Sequence, residues 1–143
     1  MTLSTQTIRS LVDEWYALLD RHVPLNEVLR LLVDEDLEMR FPETTAHGYS
    51  GFSKWYDSVA NRFFDEQHTV LDVNATIRDA DALVQVRVNW QARIWNPPEP
   101  DSQWLGFDSH QTWVVVAADE GSRAKIKTYI VNELAPLPGS AQI

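Results

Sequence analysis

Four histidines, at positions 22, 47, 68 and 110, are the side chains of this chain best suited to moving a proton near neutral pH. No two of them stand at metal-ligand spacing on one helix, so no metal site is expected. The sequence has no cysteine, which removes thiolate zinc sites, disulfides and cysteine nucleophiles. "GYSG" lacks the lysine and the preceding strand of a phosphate loop, and no Gly-x-Ser-x-Gly turn marks a serine nucleophile. His68 is the histidine with the most informative setting: in "FDEQHTVLDV" it stands where a charged turn gives way to an alternating apolar run. A strand-edge histidine bonded to solvent or backbone fits that position as well as a general base does.

The bulk composition narrows the partners. Twelve Lys and Arg against 21 Asp and Glu give a formal net charge of -9, and like-charge repulsion disfavours nucleic acid and anionic membrane surfaces. A small neutral or apolar molecule is the expected ligand. Six Trp, four Tyr and five Phe are enough rings to wall a pocket as well as to fill a core. No basic n-region leads into an apolar run and no stretch approaches a membrane span, so a cytoplasmic location is expected. With 143 residues, 44% of them hydrophobic, one domain over 1–135 and a loose tail over 136–143 are expected.

The elements that must position these residues follow from periodicity. Ile8, Leu11, Val12, Trp15, Leu18 and Leu19 recur at helical spacing behind a Ser/Thr cluster, which predicts a first helix from Ser4 to His22. Pro24 opens a second helix carrying Leu25, Val28, Leu29 and Leu32. Leu37, Met39 and Phe41 alternate in a short strand stopped by Pro42. Phe52, Trp55, Tyr56, Val59, Ala60 and Phe63 trace one face of a third helix ending near Asp65. Thereafter Leu71, Val73, Ala75 and Ile77 alternate, as do Val84, Val86, Val88, Trp90, Ala92 and Ile94, which predicts a long hairpin turning at "RDADA". "NPPEPDS" interrupts the sheet, and "WLGFDSHQTWVVV" with "AKIKTYIVNEL" predicts a second hairpin turning at "ADEGSR".

Three helices followed by strands make an α+β domain with helices on one sheet face. The other face would carry Leu83, Gln85, Arg87, Asn89, Gln91, Arg93 and Trp95, a row rich in long amphipathic side chains that reads as a homodimer interface.

This order of elements resembles the cone-shaped nuclear-transport-factor-2-like, or SnoaL-like, superfamily over nearly the whole chain. "RFPETTAHGYSGFSKWYDSV" looks like its short strand, loop and "hG" turn into the third helix, and "IKTYIVNEL" looks like its final strand. The resemblance implies three helices on a curved, mostly antiparallel sheet, but no single reaction, because the superfamily holds isomerases, cyclases, dehydratases and noncatalytic domains. Steroid isomerases of this fold keep a carboxylate base before the proline that ends the first strand, where this chain has Phe41. The branch with scytalone dehydratase and hexachlorocyclohexane dehydrochlorinase keeps an Asp late in helix one and a His at the start of the strand after helix three. "EWYALLD" and "EQHTV" supply Asp20 and His68 at those positions.

The resemblance therefore implies His68 as general base and Asp20 as the carboxylate that fixes its tautomer. At about 100° per residue, Asp20 lies roughly 120° from the centre of the helix stripe, at its edge beside Tyr16. Tyr16, Trp90, Ser109 and Gln111 are the expected ligand contacts, the last two only if their strand turns odd positions inward rather than Asp108 and His110. The implied function is a small enzyme of the dehydratase, cyclase or isomerase type acting on a ring-containing substrate, for which no cofactor is required. The alternative is a noncatalytic ligand-binding or assembly domain.

Overall fold

The computed structural model describes residues 3–118 and 123–143. Helix α1 spans Thr5–Asp20, and the Ser4 side chain caps it by accepting a hydrogen bond from Thr7 N at 3.0 Å. Its apolar stripe buries Ile8, Leu11, Val12, Trp15, Tyr16, Leu18 and Leu19. Trp15 is fully buried and packs against Phe52, Trp113 and Tyr129, with ring centroids 5.8, 6.3 and 5.7 Å away. Each such buried side chain stabilises the fold by about 1.5–3 kcal/mol.

Helix α2 is shorter than its apolar repeat predicts, covering Leu25–Leu29. Beyond it Leu32 bridges in parallel to Ile126, so the last leucine of the repeat joins the sheet edge instead of the helix. Strand β1, Glu38–Arg40, pairs with β2, Thr45–His47, which the sequence reading assigned to a turn. Helix α3 spans Gly48–Arg62. Gly48 adopts φ +66, a region open to glycine, and the next amide, Tyr49 N, is capped by Asp34 Oδ1 at 2.8 Å.

The long strands are β3 (Phe63–Ile77), β4 (Ala82–Ile94), β5 (Gln103–Ala117) and β6 (Ala124–Pro136). They form one six-stranded sheet in the order β2-β1-β6-β5-β4-β3, antiparallel throughout except for the parallel β1–β6 pair. Both predicted hairpins are present as strand pairs, although "ADEGSR" falls mostly outside the described residues. The helices cover one face, and most of the core, from Ile8 through Trp113 to Ile126, lies between them and the sheet.

Strand β3 departs from its predicted pattern. Strand pairing begins at Phe63, so α3 ends before Asp65, because Phe63 pairs with Ile94 in the core. The ladder slips twice, between Phe64 and Gln67 and between Val70 and Asp72. At the second bulge Leu71 has no partner and is 47% exposed, although simple alternation would have turned it inward with Val73 and Ala75. The inward set is Phe63, Glu66, His68, Val70, Val73 and Ala75. Unbroken period-two alternation back from Val73 would have sent His68 to the outer face, so the bulge at Leu71 is what turns it inward.

The residues after β6, expected as a loose tail, bond back to β5: Leu137 N donates to Gly106 O and Ala141 N to Trp104 O, both at 2.9 Å. No helix among the described residues is long and apolar enough to cross a membrane.

Candidate active site

A cavity of about 710 Å³ opens between the inner face of the sheet, the end of α1, and α3. His68, Trp90, Ser109 and Gln111 line it. On β5 the odd positions turn inward: Ser109 and Gln111 are 5% and 4% exposed, while Asp108 and His110 lie on the exposed face. The pairing Val88↔Ser109 and Trp90↔Phe107 fixes that register, because Val88 is a core residue.

His68 is held from two directions. Asp20, the last residue of α1, accepts from the His68 backbone N at 2.8 Å through Oδ2 and meets His68 Nδ1 at 2.5 Å through Oδ1. Asp20 thus points off the apolar stripe toward the first turns of β3, which pack beside α1. Its side chain is 22% exposed, against 10% for His68, so the carboxylate sits at the cavity's flank. The imidazole stacks on Tyr16 at 4.7 Å and lies nearly parallel to the Trp90 ring at 6.1 Å. A neutral imidazole with Nδ1–H on Asp20 leaves Nε2 unprotonated on a side chain that lines the cavity, and that nitrogen has no protein partner among the described residues.

Tyr16, expected as a ligand contact, stands behind the wall. Its hydroxyl donates to Gln111 Oε1 at 2.7 Å, and the same oxygen accepts from Trp113 Nε1 at 3.0 Å. Gln111 Nε2 in turn donates to Ser109 Oγ at 3.0 Å. This chain of bonds fixes the amide orientation and leaves the Ser109 O–H and the second Gln111 N–H as donors for a bound oxygen. Burial, reinforced by the neighbouring Tyr129, pushes the Tyr16 hydroxyl well above the ordinary tyrosine pKa, so it stays a donor. Burial raises Tyr129 as well.

Two lining residues escaped the sequence reading. Glu66, on the first bulge of β3, and His22, just past the end of α1, are hydrogen-bonded to each other through Oε2 and Nε2. Glu66 Oε1 also accepts from Trp90 Nε1 at 3.0 Å. The available signal was parity: Glu66 is two residues before His68 on the same strand face. His47 ends β2 and also lines the cavity. Among the described residues no cluster of three or more His, Asp or Glu side chains has the geometry of a metal site.

No family model and no curated protein sequence matches the chain. Solved structures do. Hexachlorocyclohexane dehydrochlorinase LinA-type3 from Novosphingobium barchaimii superposes with TM-score 0.75 at 15% identity, over 96% of this chain and 92% of that one. A proposed scytalone dehydratase from Novosphingobium aromaticivorans gives 0.71 at 20% identity, over 96% and 94%. A nuclear transport factor 2 (NTF2-like) superfamily protein from Salmonella enterica gives 0.69 at 13% identity, over 96% and 91%. Likeness at these identities is a likeness of backbone, and it agrees with the six-stranded sheet and its three covering helices: the chain has the NTF2-like cone fold.

Proposed function

We propose that this protein is a small enzyme that removes a proton from a ring-containing, largely apolar substrate by means of the His68–Asp20 pair, in an elimination, cyclisation or isomerisation. The observation that carries the reading is the setting of His68: its Nδ1 is tied to Asp20, its Nε2 has no protein partner among the described residues, and its side chain lines a cavity of about 710 Å³. A cavity of that size accommodates a one- or two-ring molecule. His68 Nε2 accepts the proton, and Asp20 stabilises the imidazolium that forms. Ser109 and Gln111 offer N–H and O–H donors to a substrate oxygen on which negative charge develops. Each of these reactions moves a proton, with or without a leaving group, and causes no net oxidation or reduction, so the step needs no redox cofactor. The similarity in fold to a dehydrochlorinase and a proposed dehydratase is consistent with this chemistry.

The test is turnover of 5-nitro-1,2-benzisoxazole, a flat bicyclic compound that opens when a base takes its single acidic C–H. Saturable nitrophenolate release by the wild type, reduced by about 10²-fold or more in His68→Ala, is the expected result for a lost general base. Equal rates in the two proteins would remove the basis of the reading.

The outward sheet face is proposed as the surface of a homodimer. Its polar side chains are already ordered by one another: Asn89 Nδ2 donates to Asp108 Oδ1 at 2.9 Å and Thr112 Oγ1 to Asn132 Oδ1 at 2.8 Å. Such preordering lowers the entropy lost on association.

A further inference from the structure

His22 occupies a backbone position that favours glycine. Its amide donates to Leu19 O at 3.1 Å and the next amide, Val23 N, to Leu18 O at 3.5 Å, the paired bonds of a helix end that turns through a left-handed residue. His22 has φ +49, which strains a residue bearing a Cβ. The strained side chain is not idle: it reaches the cavity and bonds to Glu66, whose own side chain is only 7% exposed. The two imidazole–carboxylate pairs are crossed. The α1 end gives Asp20 to a histidine on β3, while β3 gives Glu66 to a histidine at the α1 end. Trp90 joins them, its indole N–H on Glu66 and its ring nearly parallel to that of His68.

We propose that His22, oriented by Glu66, is the proton donor of this site and that the substrate leaves through an oxygen. This rests on His68 acting as the base. Glu66 holds His22 Nε2–H, and Nδ1 has no protein partner among the described residues, so an imidazolium there has its Nδ1–H free on a side chain that lines the cavity. In the step, the substrate C–H bond breaks and its proton goes to His68 Nε2. The electron pair forms the C=C bond, and the C–O bond breaks. The departing oxygen keeps that bond's pair and takes the proton from His22 Nδ1, leaving as water or an alcohol. His22 ends neutral and His68 ends charged, and exchange with solvent restores both. A halide leaves as a stable anion and needs no donor, whereas hydroxide or alkoxide needs one; a second pair on the wall is explained by the latter.

The experiment compares 5-nitro-1,2-benzisoxazole with the unsubstituted parent. In both compounds the base takes the same C–H and an N–O bond breaks. The nitrophenolate leaves unaided, but the parent's more basic phenolate gains from a proton. The variant is His22→Gly, whose relief of the left-handed strain offsets the loss of the bond to Glu66, so the chain is expected to stay folded. The ratio of nitro to parent turnover is expected to rise by about 10²-fold in His22→Gly, the usual contribution of a general acid. Glu66→Gln is expected to shift the ratio in the same direction by less, as a positioning residue. An unchanged ratio, whether both rates fall together or neither falls, overturns the assignment of His22. If instead His68→Ala retains full turnover of the nitro compound, the base assignment fails and the cause of failure is distinct. Binding of 4-nitrophenolate, read from its visible absorbance, gives a second measurement independent of turnover. His22→Gly is expected to weaken it about tenfold, in line with loss of a charge-assisted bond; equal affinity, or no uptake by the wild type, overturns the proposal.

Discussion

Replacing Asp20 by Asn changes one atom and tests how His68 is held. The carboxylate accepts two hydrogen bonds from His68, at 2.8 Å from the backbone N and 2.5 Å from Nδ1. An amide can accept only one of them through its oxygen. Loss of one bond to a charged acceptor is worth about 1.5–3 kcal/mol, and because the Asp20 side chain is 22% exposed, solvent screening brings this to about 1–2 kcal/mol. For a chain of this size that lowers Tm by roughly 3–8 °C. The functional effect is expected to be far larger. With the amide oxygen kept on the His68 backbone N, the NH₂ faces Nδ1, which must then accept, so the ring proton moves to Nε2 and the lone pair disappears from the cavity. A wrong tautomer in an Asp–His pair costs up to about 10⁴-fold in rate. Nitrogen NMR of the histidine rings reads the tautomer directly, and turnover of the nitro compound reads the rate. The reasoning is refuted if the wild-type His68 already carries its proton on Nε2 at neutral pH, or if Asp20→Asn leaves both tautomer and rate unchanged.

Other expectations follow from the same contacts. Gln111→Leu leaves the buried Tyr16 hydroxyl and Trp113 Nε1 without their common acceptor, so a loss of about 2–5 kcal/mol in denaturant unfolding is expected from two unsatisfied donors. Tyr16 and Tyr129 have pKa values raised by burial, so the folded chain keeps protons that the unfolded chain gives up. Their contribution to stability is full below the ordinary tyrosine pKa of roughly 10 and is lost as pH rises toward the folded values; urea melts above pH 10 should steepen in decline for wild type and less so for Tyr16→Phe. A Cβ on Gly106 would stand 2.5 Å from the Trp104 ring and 3.1 Å from Leu137, so Gly106→Ala is expected to destabilise by about 1–3 kcal/mol and to raise hydrogen exchange at Leu137 and Ala141. If the outward face pairs two copies, light scattering will give a dimer, and Asn89→Lys, which removes the Asn89–Asp108 bond that orders this face and puts a charge on it, will give monomer.

Much of the scaffold was legible because it depends on period. Periodicity marked every buried residue of α1 except Tyr16, and the alternation of Val84, Val86 and Val88 assigned β4's inner face correctly. The inward turn of Ser109 and Gln111 followed once β5 was paired with it. The parts that were not legible depend on features without a period. Strand β2 has three residues and exists because β1 lies beside it. The end of α3 could not be read because "FDEQ" is polar where the first β3 bulge crosses the sheet edge, with Asp65 at φ +51. His22 looked isolated because its partner, 44 positions later, is brought to it by that same bulge. Tyr16 stands beside Asp20 in the sequence, but its hydroxyl is spent on Gln111, 95 positions away along the chain.

The unpaired Leu71 also separates two demands that a strand ordinarily couples. Downstream of it Val73 and Ala75 face the core, and upstream Glu66 and His68 line the cavity; the extra residue lets each half keep its own phase. Deleting it would force one half to surrender: either Val73 and Ala75 leave the core, or Val70 turns outward together with Glu66 and His68. A one-residue deletion that leaves the fold intact would thus turn both Glu66 and His68 toward solvent at once, as no point substitution can. Sequence comparisons that treat a single-residue gap in this strand as neutral would pass over such a change, because every residue type implicated in the chemistry would still be present.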